Sequence, residues 1–550
     1  MVELSEEVKR EIGQHFVFGF HGHDVSEDIE ILISKYYLGN VILMKRNVQD
    51  VKQIHGIVQK LQRIAKDAGH ERPLMIGIDQ ENGLVSAFST AECGTQFPGA
   101  MALATSGSVE IAEKVSHASA SEMRLAGINW DYSPDADVNS DPRNPVIGVR
   151  SFGDRPNDVA RYACAASKGL TDAKVAPSAK HFPGHGNTHV DSHLSLPRIM
   201  ASKQDLNQIE LVPFKALVES GIASIMTGHM ALPVVTETEV PCSLSREITT
   251  DLLRVEMGYE GVIVTDCLEM EAVLETYGAE AGAVMALQAG ADVVMICHTR
   301  SRQQGAIEKT YDAVANGALT LASLRESGKR VQALKSQFAG TWDEVLSTPF
   351  DADKWAALKE ANASISRQAY ISAMTLLRDP KKTLPLQSQA STPVLIFTPR
   401  VESINLAVDD ADGVLRDGEG RLRNTAGPSY TAFAAAVARR VATQHVVYGS
   451  EEELPEAALV SASSVIFATR NGFEKGAWQV EYLRRLVQRL GDKPLVVVST
   501  CAPYDVLGAK DIPGAVLATL EFTVPALETA AQVIFGEVEA KGVLPVDIST

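Results

Sequence analysis

Short uninterrupted apolar runs alternate with helix-length stretches over the first 300 residues. The runs fall at 15–20, 40–44, 74–78, 128–132, 175–181, 223–227, 261–265 and 292–297. Between most of them lie segments of helical periodicity, at 48–68, 110–126, 157–172, 203–219 and 246–257. Apolar runs without polar alternation predict strands buried on both faces, and their alternation with helices predicts parallel pairing. Eight such units predict a (β/α)₈ TIM-like barrel, with a large open α/β sheet as the alternative.

After Gly340 the pattern changes. A helical stretch at 356–377 leads to a connector containing Pro, Gln and Ser at 384–393. A second series of apolar runs, at 394–397, 445–448, 464–468, 495–499 and 515–520, then alternates with helical stretches at 430–441, 478–489 and 526–535. This predicts a smaller doubly wound α/β (sandwich) domain. The expected organisation is a catalytic barrel over residues 1–340, a helical connector over 341–392 and a C-terminal α/β domain over 393–550. The second series contains no GxGxxG or P-loop, so nothing in it specifies a nucleotide.

The polar residues that end the first eight runs carry the chemical information. They are His21, Lys45-Arg46, Asp79-Gln80-Glu81, Asp131 with Asp135 and Asp137, Lys180-His181, His229, Asp266 and His298. In a barrel all eight ends open onto one face, where such enzymes place their chemistry. Asp137, His229 and His298 are candidates to support that face from behind, and Trp130 is expected in the core.

Charge narrows the partners. Lysine and arginine number 51 and aspartate and glutamate 69, a net charge of −18. Such acidity argues against a nucleic-acid backbone or an anionic membrane as principal partner. Six scattered cysteines form no CxxC, so a zinc knuckle or thioredoxin-like site is excluded and buried free thiols are expected. Residues 1–11 lack the apolar core of a signal peptide, and no run reaches 18 apolar residues. The chain reads as cytoplasmic.

The densest segment runs from Lys180 through His181, Pro183, Gly184, His185, Gly186 and His189 to Asp191 and His193. Its Pro and Gly residues predict a shaped loop after the fifth strand. Asp191 and His193 are close enough for the carboxylate to orient the imidazole as a general acid/base. A different reading uses His185, His189 and His193, spaced by four, as metal ligands, although the flanking glycines disfavour the helix this needs. Asp266 ends the seventh run, where a carboxylate reaches a substrate carbon or caps the next helix. Glu269 and Glu271 are expected on an exposed helix face. Arg150 is free to pair with Asp131, Asp135 or Asp137, and Lys180 with Asp191 or Asp266.

The Lys180–His193 segment (KHFPGHG…DSH) resembles glycoside hydrolase family 3, specifically its two-domain β-N-acetylglucosaminidase branch. The resemblance extends to Asp79-Gln80-Glu81, to Arg150 before Ser151-Phe152-Gly153, and to the closing Gly542-Val543-Leu544-Pro545. It implies a retaining exo-β-N-acetylhexosaminidase acting on terminal β-linked N-acetylglucosamine of chitin-derived or cell-wall-derived oligosaccharides. By position, Asp266 would be the nucleophile, His193 the acid/base and Asp191 its partner. Asp79, Arg150, Lys180 and His181 would bind the sugar. No cofactor or metal is implied, and the partner is a small oligosaccharide. Leu84 stands where the branch commonly has arginine. The alternatives left open are a phosphorylase using the same residues, a metal-dependent hydrolase and a non-catalytic sugar-binding protein.

Overall fold

The computed structural model describes residues 4–90, 92–188, 196–387, 392–400, 426–473, 476–506 and 511–548. Strands β1 (Phe16–Phe18), β2 (Asn40–Leu43) and β3 (Met75–Ile78) are followed by a small hairpin, β4 (Gln80–Asn82) and β5 (Val85–Ser86). Then come β6 (Trp130–Asp131), β7 (Ala176–Phe182), β8 (Ser224–Thr227), β9 (Val262–Cys267) and β10 (Val293–Ile296). All but the hairpin join one closed barrel in the order β1-β10-β9-β8-β7-β6-β3-β2, paired parallel throughout. Every strand is buried on both faces, which is why the runs show no polar alternation. The barrel is therefore the correct choice over the open sheet.

Val17, Met75, Trp130, Tyr132, Met226 and Met295 pack inside the barrel. Trp130 is fully buried, and its Nε1 donates to Ser224 Oγ at 2.9 Å, so it is core. Outside, helices lay apolar stripes on the strands. In Val51–Asp67, Asp50 caps the N-terminus by accepting from the Gln53 amide at 2.9 Å, and Ile54, Ile57, Val58, Leu61 and Ala65 form the buried stripe. The helix expected over 203–219 is two, Lys203–Gln208 and Leu211–Glu219. Pro213 has no N–H to give the carbonyl of Ile209, and its ring crowds that carbonyl, so the chain bends there.

The bottom of the barrel is a charge clamp. Buried Asp292 accepts from Arg254 at 2.8 Å, Arg330 at 2.7 and 2.9 Å, Ser327 at 2.7 Å and the Ile263 amide at 2.8 Å. Asp292→Ala strands two guanidinium groups and should destabilise the fold by about 3–5 kcal/mol. Denaturant unfolding should show this loss, while turnover per folded molecule stays unchanged because the clamp lies opposite the catalytic face.

The second domain contains β11 (Thr375–Arg378), β12 (Val394–Pro399), β13 (Thr443–Tyr448), β14 (Ser464–Thr469), β15 (Leu495–Ser499) and β16 (Ala515–Ala518). They form one sheet in the order β11-β16-β15-β14-β12-β13, parallel except for β11. Alternate side chains bury opposite faces. Ile396, Ile466 and Val496 meet helices Gly427–Ala438 and Val524–Ile534, whereas Phe397, Phe467 and Val497 meet Trp478–Leu490. Strand β11 lies within the segment expected to be a helical connector. Its Leu376-Leu377 continues the apolar spacing of helix Ala352–Ala373, so periodicity alone does not separate the two.

Candidate active site

Four side chains at the catalytic face interlock. Asp79 directly follows β3, and the hairpin after it carries Glu81. Lys180 and His181 lie on β7, and Arg150 ends a short 3₁₀ turn, Gly148–Arg150. Lys180 Nζ lies 2.7 Å from both Asp79 Oδ1 and Glu81 Oε1. Arg150 donates to Glu81 through Nη2 at 2.7 Å and Nε at 2.9 Å, a two-pronged contact. Burial alone would raise the Glu81 carboxyl, but the charges of Arg150 and Lys180 outweigh it and hold the group at about 2. Burial likewise opposes the charge on Lys180, and Asp79 and Glu81 reverse that, raising its pKa. The net charge of this quartet is zero.

The quartet is anchored by a second layer. His181 Nδ1 sits 2.7 Å from Asp137 Oδ2, which leaves Nε2 facing Arg150 Nη2 at 3.4 Å. Asp137 Oδ1 also accepts the His185 amide at 2.6 Å. Burial would raise Asp137, but His181 and His185 overcome it and lower its pKa. Burial and the Asp137 charge push Asp135 the other way, well above the carboxylate range, as burial does Asp131. Neighbouring carboxyls are thus split into charged and neutral members.

Asp266 stands at the end of β9, half-buried, with Oδ1 accepting the Cys267 amide at 2.7 Å. His229 fixes the end of that strand: its Nδ1 lies 2.7 Å from Ser243 Oγ and its Nε2 2.9 Å from the Cys267 carbonyl. Both His229 and Asp137 therefore support the face from behind. His298 is exposed at the rim. Asp191 and His193 lie outside the described residues, as does His189. Of the three histidines considered as metal ligands only His185 is described, and it is buried with its pKa lowered to about 4 by burial and the His181 charge.

Several expected pairings differ. Arg150 binds Glu81, with Asp135 only at 3.9 Å, and Lys180 is matched by Asp79 and Glu81 rather than by Asp266. The central anion, Glu81, was not singled out from sequence as a site residue, although its place two residues after Asp79 was the available signal. Glu269 is not exposed: its carboxylate accepts the His298 and Thr299 amides at 2.6 and 3.0 Å, capping the helix that starts at Arg300. The glutamate is used for capping because those amides begin a helix with no partner of their own.

The second domain touches this face. Asn139 donates to Tyr504 Oη at 2.8 Å, and Val149 and Met101 share an apolar cluster with Cys501, Tyr504 and Leu520. Leu520 adopts a left-handed conformation (φ 61°), which aims Glu521 at the turn after Glu81, where its Oε2 would lie 3.1 Å from any β-carbon at Gly83. Burial raises the Glu521 carboxyl to about 8. Its folded pKa lies above the ordinary 4.5, so its share of stability is complete below that pH and is lost as pH rises toward about 8. Glu521→Gln should remove this slope. The melting temperature of the variant should overtake the wild type progressively between pH 5 and 8, and parallel curves would contradict the burial of an acid at this junction.

A closed parallel barrel with interlocked charged groups at the C-terminal ends of its strands, joined to a doubly wound domain, is the architecture of a two-domain glycoside hydrolase. Residues 7–334 match the model of the glycosyl hydrolase family 3 N-terminal domain. The chain belongs to that family. It is 29% identical to beta-hexosaminidase A of Pseudoalteromonas piscicida over 564 aligned residues, covering 95% of this chain and 91% of the relative. The solved structure of a family 3 β-N-acetylglucosaminidase from Paenibacillus sp. FPU-7 aligns with a TM-score of 0.85 at 30% identity, covering 99% of both chains. A fungal multi-domain family 3 β-N-acetylglucosaminidase aligns with a TM-score of 0.89 at 38% identity. This chain is covered over 98% of its length there and spans 60% of that longer protein. Among the described residues, no helix is long and apolar enough to cross a membrane.

Proposed function

We propose that the protein is a retaining exo-β-N-acetylhexosaminidase that removes terminal β-linked N-acetylglucosamine from short chitin-derived or cell-wall-derived oligosaccharides. The observation that carries this reading is the neutral, fully interlocked quartet of Asp79, Glu81, Arg150 and Lys180 on the same barrel face as Asp266. It offers charged donors and acceptors at fixed positions, which suits the alternating donor and acceptor character of sugar hydroxyls. Membership of family 3 and the names of the relatives point the same way.

In the proposed reaction, ionised Asp266 attacks the anomeric carbon while protonated His193 donates to the departing oxygen. The glycosyl-enzyme that results is hydrolysed when His193 takes a proton from water. Asp191 holds the imidazole in the tautomer this requires and raises its proton affinity. Asp79, Arg150, Lys180 and His181 bind and orient the sugar ring. Six free cysteines, five of them buried, fit a reducing cytoplasm.

Phosphorolysis would use the same nucleophile with phosphate in place of water. Both buried cations of the quartet are already matched by carboxylates, which leaves neither uncompensated for an incoming anion. Incubating the enzyme with the N-acetylglucosamine disaccharide, with and without phosphate, should give free sugar at the same rate in both cases. Appearance of the sugar 1-phosphate would overturn hydrolysis. Exhaustive chelation should leave the rate intact, and loss of activity restored by zinc would overturn the mechanism as drawn.

A further inference from the structure

The ends of β9 and β10 gather four groups that no step of the proposed reaction uses. Cys267 closes β9 next to Asp266, Cys297 follows β10, and the two strands pair with Met295 opposite Cys267. The Cys267 sulfur, a Glu269 carboxylate oxygen and a His298 ring nitrogen all lie within 4.8 Å of one another. Zinc bonds to sulfur, nitrogen and oxygen run about 2.0–2.3 Å, which puts tetrahedral ligands roughly 3.3–3.8 Å apart. The three donors, within 4.8 Å of one another, are already near that spacing.

The donor set is selective. A thiol and an imidazole favour soft or borderline ions over magnesium or calcium. Glu269 is held in place by the His298 and Thr299 amides and by Arg302 at 3.3 Å, which uses three of its roughly four acceptor positions and leaves one. Exposed His298 opens the cluster to solvent. Arg46, which donates to the Cys297 carbonyl at 2.7 Å, opposes a cation, so a strong metal–sulfur bond is needed to offset it.

We propose that Cys267, Glu269 and His298 form a three-ligand site for a thiophilic divalent cation of the zinc class, and that filling it switches the glycosidase off. The Cys267 thiol releases its proton to solvent as the metal–sulfur bond forms, with no change of oxidation state. The switch, though not the site, rests on Asp266 as nucleophile. Asp266 precedes Cys267 and accepts its amide, so drawing Cys267 onto the ion shifts that hydrogen bond and sets a divalent charge beside the attacking carboxylate.

The full-length, metal-free protein should be titrated with Cd²⁺ while thiolate-to-cadmium charge-transfer absorption is recorded, and in parallel with Zn²⁺ while aryl-glycoside hydrolysis is followed. One ion per chain should bind, activity should fall in step with occupancy, and chelation should restore it. Cys267→Ser should abolish the main absorption and the sensitivity to Zn²⁺. His298→Ala, at the exposed rim, should keep the absorption but weaken binding by about tenfold or more. Absence of thiolate absorption would overturn the site, as would Zn²⁺ inhibition that survives Cys267→Ser, which would place the ion in the 189–195 loop. Binding with unchanged activity would overturn the switch alone. Because absorption is read independently of turnover, the site is decided even if Asp266 is not the nucleophile.

Discussion

Asp266→Ala should lower turnover by about 10⁴-fold or more, the scale on which loss of a nucleophile acts. Among the described residues, no carboxylate on this face is placed to replace it. On the same face Glu81 is tied to Arg150 and Lys180, and Asp79 to Lys180, while Asp131 and Asp135 are held neutral by burial. None of these is both charged and uncommitted. The variant should fold normally, since Asp266 is half-buried and its amide contact is local. Binding of a non-hydrolysable sugar should survive, because the quartet is untouched. A variant that retained a tenth of wild-type turnover would show that another group attacks.

The second large effect concerns His193. A general acid contributes about 10²–10⁴-fold by protonating the departing oxygen. A nitrophenolate leaves with little help, whereas a sugar alkoxide needs the proton. His193→Ala should therefore damage hydrolysis of the N-acetylglucosamine disaccharide far more than that of an activated aryl glycoside. With the activated substrate, breakdown of the glycosyl-enzyme should limit the variant, and azide, which needs no base, should recover part of the rate. Asp191→Asn should show a milder form of both effects, because the imidazole keeps its place but loses its charged partner. Equal losses on both substrates with no response to azide would mean that His193 binds or supports structure instead.

The barrel was legible because its physics is local. A strand buried on both faces is apolar over most of its length, so β3 (MIGI) and β10 (VVMI) stand out as unbroken runs, and the polar residues after them mark the face where the chain returns to solvent. What failed was what depends on distant partners. Arg150 finds Glu81 across 69 residues of sequence, and nothing near either residue says that this carboxylate is chosen over Asp131 or Asp137. Glu269 reads as an exposed helical residue until the β10 loop brings the His298 and Thr299 amides to it. Pro213 was the one visible warning that the helix over 203–219 is two. Strand β11 becomes a strand only because β16, some 140 residues later, offers an open edge.

The same distinction applies to Glu521. From sequence it is one acid among 69 acidic residues, and only the fold turns it toward Gly83, beside the Glu81–Arg150 pair. The second domain is thus in contact with the loops that hold Glu81 and Arg150. The reacting groups assigned above, however, all come from the barrel.

The most direct measurement is covalent trapping. A slow-reacting fluorinated N-acetylglucosaminyl donor, incubated with the wild-type enzyme and digested, should add one sugar to the peptide carrying Val262–Cys267, with fragmentation placing it on Asp266. Asp266→Ala should acquire no label. An adduct on any other residue would contradict the assignment of the nucleophile, and turnover with no protein adduct would mean that the sugar's own acetamido group attacks instead.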